Sequence, residues 1–388
     1  MTQPGSGRQL PEIFDSFSQA RKNGFLAVKH LKDQGRGVVG TFCTYTPVEV
    51  FLAAGLTPVG LCSTSDETIA DAEKVLPRNL CPLIKASYGF AITDKCPYMY
   101  FSDLVVGETT CDGKKKMYEL LGQIKDVHVM QLPQTQPLDS AKEMWLQEVY
   151  RLKACIEAKF EKTITAQDLR RAIRERNLER AELKKFYELS VLDPPPMTGL
   201  SQLQFLFGSQ FKFDHEAKVA EISQAAAKIR EAYQNGERPV KAGAKRLILT
   251  GCPMGGATEK VVRILEECGA VVAAFENCTG AKQFDRQMPE EGDPWKNVAD
   301  YYLELGCAVM TPNPNRLELL DRLCSQFKAD AAVEMVLTAC QPYSVETHTL
   351  REHLKSRRIP FMSLETDYSS SDLEVLRNRA AAFLETLS

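Results

Sequence analysis

Residues 79–116, NLCPLIKASYGFAITDKCPYMYFSDLVVGETTCDGKKK, decide the reading of the chain: three cysteines fall among signals for a helix start, a buried strand and a glycine-bearing turn. Pro82 follows Cys81 and suits the first turn of a helix. The Cys81 sulfur is therefore expected where free backbone N–H groups point outward, a position that favours a thiolate. The apolar run Leu104–Val106 reads as a strand, and the turn GETTCDG after it puts Cys111 at the strand's carboxyl end. The basic run Lys114–Lys116 then opens another helix. Ligands of open α/β sheets bind at that edge, so the question is which ligand needs thiolates there.

Composition narrows the answer. The 388 residues suffice for two or three domains with their own cores. A net charge of -3 gives no general attraction for nucleic acid or an anionic membrane. The N-terminus, MTQPGSGRQLPEIF, lacks an apolar signal core, and no run of about 18 apolar residues is present to span a bilayer. A cytoplasmic protein is expected. Twelve cysteines in a reducing compartment point to metal ligands before disulfides. No CxxC occurs, which removes support for a zinc ribbon or a bacterial-ferredoxin run.

From the start, an amphipathic helix is expected over Leu10–Lys32 and a strand over Gly37–Thr41, with Cys43 just past it. Pro47 falls near the next helix start and Glu49 in its first turn, where an acid complements the dipole. Leu56–Cys62 reads as a second strand, STSDET as a polar cap before a helix through Ala70, and Val127–Gln131 as a fourth strand. Residues 1–138 thus form an α/β domain with a parallel sheet. Residues 139–242 change to long charged helical stretches, interrupted by the DPPPM run at Asp193. Acids alternate with the basic residues there, as on a solvated helix face.

Residues 243–388 return to the first rhythm: KRLILTGCPMGGATEK, AVVAAFENCTG, CAVMTP, AAVEMVLTACQPYS and IPFMSLETDYSSSD are apolar runs that each end in a turn. The fold class expected is α/β, two Rossmann-like domains whose parallel sheets face each other across a cleft, with a helical middle region. Cys43, Cys81 and Cys111 would then oppose Cys252, Cys278 and Cys340. Six thiolates in one cleft suit iron and sulfide better than one ion, since a zinc takes at most four ligands. The nearby glycine-rich turns offer N–H groups to cluster sulfurs.

The stretches GTFCTYTPVE, LCSTSDET, LPRNLCPLIKASYG, DLVVGETTCDGKKKMYE, HVMQLPQ, TGCPMGGATEKVVRILEE, FENCTGAK and ETDYS resemble the 2-hydroxyacyl-CoA dehydratase superfamily, most of all its double-cubane-cluster reductase branch. The resemblance runs across both α/β domains and is weak in the middle helices. It implies an iron–sulfur cluster between two Rossmann-like domains, fed single electrons by a partner ATPase that carries its own cluster. In the branch it implies two [4Fe-4S] cubanes bridged by a sulfide and held by six cysteines. Ordinary dehydratase subunits use three and a single [4Fe-4S] cluster, a pattern that Cys81, Cys111 and Cys340 fit. Cys43, Cys252 and Cys278 are then the extra ligands.

The activity this implies is a reductase that uses low-potential electrons from an ATP-hydrolysing partner to reduce a small unsaturated or N–N bonded substrate. The alternatives are a dehydratase subunit that eliminates water through a ketyl radical, and a non-catalytic electron-transfer protein. A homodimer would suit a symmetric donor. Among other residues, Cys62 ends a strand as Cys43 does and competes with it as a ligand, while Cys96 and Cys307 are weaker candidates. Cys155, Cys268 and Cys324 fall in helix-like sequence and read as small packing residues. GCPMGG lacks the GK[ST] ending of a P-loop, so ATP must be hydrolysed elsewhere. Glu49, Lys85, Tyr343 and Glu346 flank the expected cleft and are the candidate proton donors, with caps and ion pairs as the equal alternative for each. His128 reads as a core histidine, and Lys114–Lys116 either as a solvated helix start or as a site for docking or electrostatic tuning.

Overall fold

The computed structural model describes residues 19–251 and 255–387, so Cys252 and the first part of the expected Leu10–Lys32 helix lie outside the described residues. The remainder of that helix runs over Gln19–Asp33. Two four-stranded parallel sheets follow. The first contains β1 (Val38–Thr41), β2 (Thr57–Gly60), β3 (Leu104–Glu108) and β4 (Val127–Met130), in the order β2-β1-β3-β4. The second contains β5 (Lys245–Gly251), β6 (Ala270–Phe275), β7 (Ala331–Leu337) and β8 (Phe361–Thr366), in the order β6-β5-β7-β8. Every residue of β3, β6 and β7 is buried, as expected of strands covered on both faces.

The identical strand orders put a topological switch at the same place in each sheet, between β1 and β3 and between β5 and β7. Chains leave these neighbouring strands in opposite directions, which opens a crevice at their carboxyl ends. Cys43 and Cys111 come just after β1 and β3, and Cys340 just after β7.

The middle region consists of helices Asp139–Phe160, Ala166–Tyr187, Gly199–Ser209 and His215–Gln234. A capping box between Thr165 and Asp168 starts the second of them. The helices do not stand apart as a core of their own. Trp145, Val149 and Leu152 cover Val39, Leu104, Val106 and Met130 of the first sheet. The same cluster takes in Trp295, Val298 and Tyr302 from helix Pro294–Leu303, so a segment of the C-terminal third packs into the N-terminal half.

CAVMTP, expected as a strand, is a loop. Its surroundings find their hydrogen bonds across the molecule: the Thr311 N–H donates to the Gln134 carbonyl (2.9 Å), and Gln136 and Tyr45 donate to the Leu305 carbonyl (3.0 and 2.7 Å). An apolar run satisfied by the other half of the molecule has no place in the second sheet's ladder. No helix among the described residues is long and apolar enough to cross a membrane.

Candidate functional site

The carboxyl edges of both sheets line one cleft of about 2120 Å³. Among the described residues seven cysteines reach it: Cys43, Cys62, Cys81 and Cys111 from the first half, Cys278, Cys307 and Cys340 from the second. Cys81, Cys111 and Cys340 are the N-cap residues of helices Pro82–Ile92, Asp112–Leu121 and Gln341–Ser356. Free N–H groups and the positive end of the helix dipole meet a sulfur there. The Cys81 sulfur accepts from the N–H groups of Leu83 and Ile84. It is also in hydrogen-bond contact with Cys340, and that contact, followed by burial, pushes the Cys81 thiol well above its ordinary value. The helix end alone therefore does not make Cys81 a thiolate, and a bound cation would have to displace its proton.

Other contacts join the halves. Thr44 hydrogen-bonds Cys278, and the Tyr368 hydroxyl donates to the Ser63 carbonyl (2.9 Å). Gly255 and Gly256, at φ of +110° and +46°, bring the turn after β5 against Thr64. A Cβ on Gly256 would lie 2.2 Å from the Thr64 carbonyl oxygen, so glycine is required for this approach.

Cys62, the sequence's competitor to Cys43, shares the cleft with it, and its Sγ donates to the Phe42 carbonyl (2.9 Å). Cys307 also reaches the cleft, 3.8 Å from the Tyr343 hydroxyl. Cys96, Cys155, Cys268 and Cys324 do not line it. Among the described residues no three His, Cys, Asp or Glu side chains converge closely enough to hold one metal ion. An iron–sulfur cluster takes its thiolates on different irons, so its ligands stand apart around a body instead of meeting at a point. Several thiols dispersed round a shared cleft fit such a group, and a closed single-ion site does not.

Two of the four expected proton donors line the cleft and two do not. Tyr343 is buried and accepts from Lys282 Nζ at 3.2 Å. Burial, then Cys307 and Cys278, push its hydroxyl well above the ordinary tyrosine value. Glu346 accepts from Asn313 (2.6 Å) and from Arg316. Glu49 instead lies fully buried behind the wall, paired with Arg180 at 2.5 Å and accepting from the Tyr302 hydroxyl at 2.7 Å. Burial opposes its charge, but Arg180 and Arg176 outweigh it and hold the carboxyl below the usual range. Lys85 pairs with Glu73 at 2.7 Å and donates to the Arg78 carbonyl at 2.9 Å. Neither side chain lines the cleft: Arg180 and Tyr302, which do, stand in front of Glu49, and Lys85 is turned aside to Glu73 and Arg78.

The basic run divides. Lys115 and Lys116 are exposed and pair with Asp112 and Glu119. Lys114 is buried, lines the cleft and donates from Nζ to the Phe42 carbonyl at 2.8 Å. The sequence carries the sign of this, since Lys114, Met117, Tyr118 and Leu121 are all buried at the spacing of one helix face. Glu108, at the end of β3, accepts from Thr46, and burial raises its carboxyl to about 7 against the pull of Thr46 and Lys114. Lys282, in the short helix after β6, is the buried lysine of the second half, paired with Glu276 at 2.8 Å beside the fully buried Arg316. Nothing local in the sequence distinguishes Lys282 or Glu108 from surface charges. His128 is half-buried, and burial lowers its pKa.

Residues 43–387 match the family model of the 2-hydroxyglutaryl-CoA dehydratase D-component. The chain belongs to this family. It is 49% identical over 379 residues to the putative dehydratase subunit YjiM of Escherichia coli (strain K12), covering 97% of this chain and 98% of that one. It is 23% identical to the (R)-phenyllactyl-CoA dehydratase beta subunit of Clostridium sporogenes over 93% of this chain and 94% of that one. For a benzoyl-CoA reductase subunit of Thauera aromatica the figure is 20%, over 94% of each. Dehydratases and reductases both occur among these family members, and each relative is named as a subunit, one part of a larger system.

Proposed function

We propose that the chain is an iron–sulfur reductase that takes low-potential electrons from a separate ATP-hydrolysing, cluster-bearing partner and delivers them to a small substrate in the cleft. The observation that carries this reading is the meeting of thiols from both halves, Cys81 against Cys340 within a cleft lined, among the described residues, by seven cysteines. A double cubane, when bound, supplies storage for more than one low-potential electron. Cys43, Cys81, Cys111, Cys252, Cys278 and Cys340 would hold it, with Cys62 and Cys307 as neighbouring thiols. Tyr343 keeps its proton at neutral pH, and its Oη, hydrogen-bonded to Lys282 Nζ, would be the atom that gives a proton to a reduced substrate in this reading. Glu346 is held by Asn313 and Arg316 on the same wall. A homodimer matched to a two-fold donor is part of this reading.

Anaerobic purification with iron and acid-labile sulfide analysis tests it. About eight irons per chain are expected for two cubanes, and zinc without sulfide would overturn the reading. About four irons would favour the second reading, a dehydratase subunit, which the 49% identity to a putative dehydratase subunit supports. Steady turnover is expected with the ATPase and ATP together, and equal turnover without ATP would refute the partner.

A further inference from the structure

Lys114 is 8% exposed, and among the described residues its Nζ has one hydrogen-bond acceptor, the Phe42 carbonyl at 2.8 Å, with the Phe42 ring centroid 5.8 Å away. Among the described residues no carboxylate forms an ion pair with it, whereas the buried Lys282 has Glu276 at 2.8 Å and Lys115, one residue on, has Asp112 at 3.1 Å. The acidic group in its surroundings, Glu108, has its carboxyl raised to about 7 by burial and so carries incomplete charge at neutral pH. A buried ammonium with no carboxylate paired to it and only a partly charged one nearby is costly to keep, and buried charges are as a rule paired. The other groups facing Lys114 are the hydroxyl of Tyr118 and the thiols of Cys62 and Cys43. The Cys62 thiol donates to the same Phe42 carbonyl that Lys114 uses, which fixes ammonium and thiol on one acceptor.

We propose that Lys114 is the fixed counter-charge of the cysteinyl centre, a positioning residue whose buried ammonium balances the thiolates of the first half and the anionic group they hold, and so sets how readily that group is reduced. This rests on the function proposed above. Each added electron makes the centre more negative, and a nearby cation in a low-dielectric wall favours the more negative state. The exposed Lys115 is screened by solvent and salt and contributes little.

The test is a redox titration of anaerobically purified full-length protein followed by electron paramagnetic resonance, with iron and sulfide measured on each sample. Lys114→Met is expected to keep its iron and to lower the reduced-to-oxidised ratio at a fixed potential by about tenfold, equivalent to a midpoint about 59 mV more negative for a one-electron couple. Lys114→Arg and Lys115→Met should stay near wild type. If Lys114→Met loses iron while Lys114→Arg keeps iron and potential, the charge is again shown to be what the centre needs. Full iron with an unmoved potential in Lys114→Met overturns the inference alone, as does an equal shift in Lys114→Arg. Loss of iron from both Lys114 variants but not Lys115→Met also overturns it, since side-chain packing would then be the requirement. Wild-type protein without iron and sulfide would overturn the proposed function, and this inference with it.

Discussion

Glu108 lies at the carboxyl end of β3, three positions before Cys111 and fully buried. Its Oε1 accepts from Thr46, and its Oε2 is buried without a hydrogen-bond partner among the described residues. Burial raises its pKa from 4.5 to about 7. The folded state therefore holds this proton over a range in which the unfolded chain has released it. Between about pH 4.5 and 7 the native state binds more protons, so stability falls as pH rises through that window and levels off above it. The loss attached to this one group is roughly 3 kcal/mol. Urea unfolding at pH 5 and pH 8 should show wild type losing most of that amount beyond any loss in Glu108→Gln, which has no proton to release. Identical pH dependence in the two proteins would mean that Glu108 reaches solvent or an unrecognised cation.

The helix Pro82–Ile92 carries Cys81 to the cleft, and the start of that helix is legible in the sequence because it is local: proline after cysteine, then an unbroken apolar run. The same holds for the strand ends that deliver Cys43, Cys111 and Cys340. Legibility fails where satisfaction comes from far away. CAVMTP has the composition of a strand, yet its neighbours' hydrogen-bond partners lie some 170 residues earlier in the chain. Lys114 is readable from the buried face it shares with Met117, Tyr118 and Leu121, but three consecutive lysines obscure which one faces inward. Glu49 and Lys85 stand close to cleft cysteines in the chain, and sequence proximity does not reveal the long-range or sideways partners that hold them away from the cleft.

The placement of the Cys81 helix depends on Gly89, where a Cβ would lie 2.2 Å from the Thr68 carbonyl oxygen. Thr68 is itself held, its hydroxyl donating to the Ala86 carbonyl at 3.1 Å. Gly89→Ala gains about 1 kcal/mol in helix propensity and loses about 1–3 kcal/mol in overpacking. A backbone oxygen cannot yield as a side-chain end can, so the loss is expected to win. The melting temperature should fall, and an unchanged or higher value would show that the 63–68 loop moves aside.

At the scale of the molecule, one buried cluster ties together all three stretches of the chain. Glu49 comes from the first, Arg180 from the middle helices and Tyr302 from the C-terminal third, with Arg180 and Tyr302 both bonded to the Glu49 carboxylate. The guanidinium also lies 4.5 Å from the Tyr301 ring centroid. Both tryptophans of the chain, Trp145 and Trp295, sit in the surrounding core although they come from different stretches. Such packing ties the middle helices and helix Pro294–Leu303 of the C-terminal third to the first sheet, and it is what a cleft needs if thiols from both halves are to keep a fixed separation. Unfolding in urea should therefore give coincident transitions by tryptophan fluorescence and far-ultraviolet circular dichroism. Arg180→Met leaves a fully buried carboxylate without its counter-ion and should cost about 3–5 kcal/mol, moving both transitions together. A fluorescence change that precedes the loss of helix in either protein would instead mean that helix Pro294–Leu303 detaches from the first sheet before the rest unfolds, and that the two walls of the cleft are joined less firmly than their shared core implies.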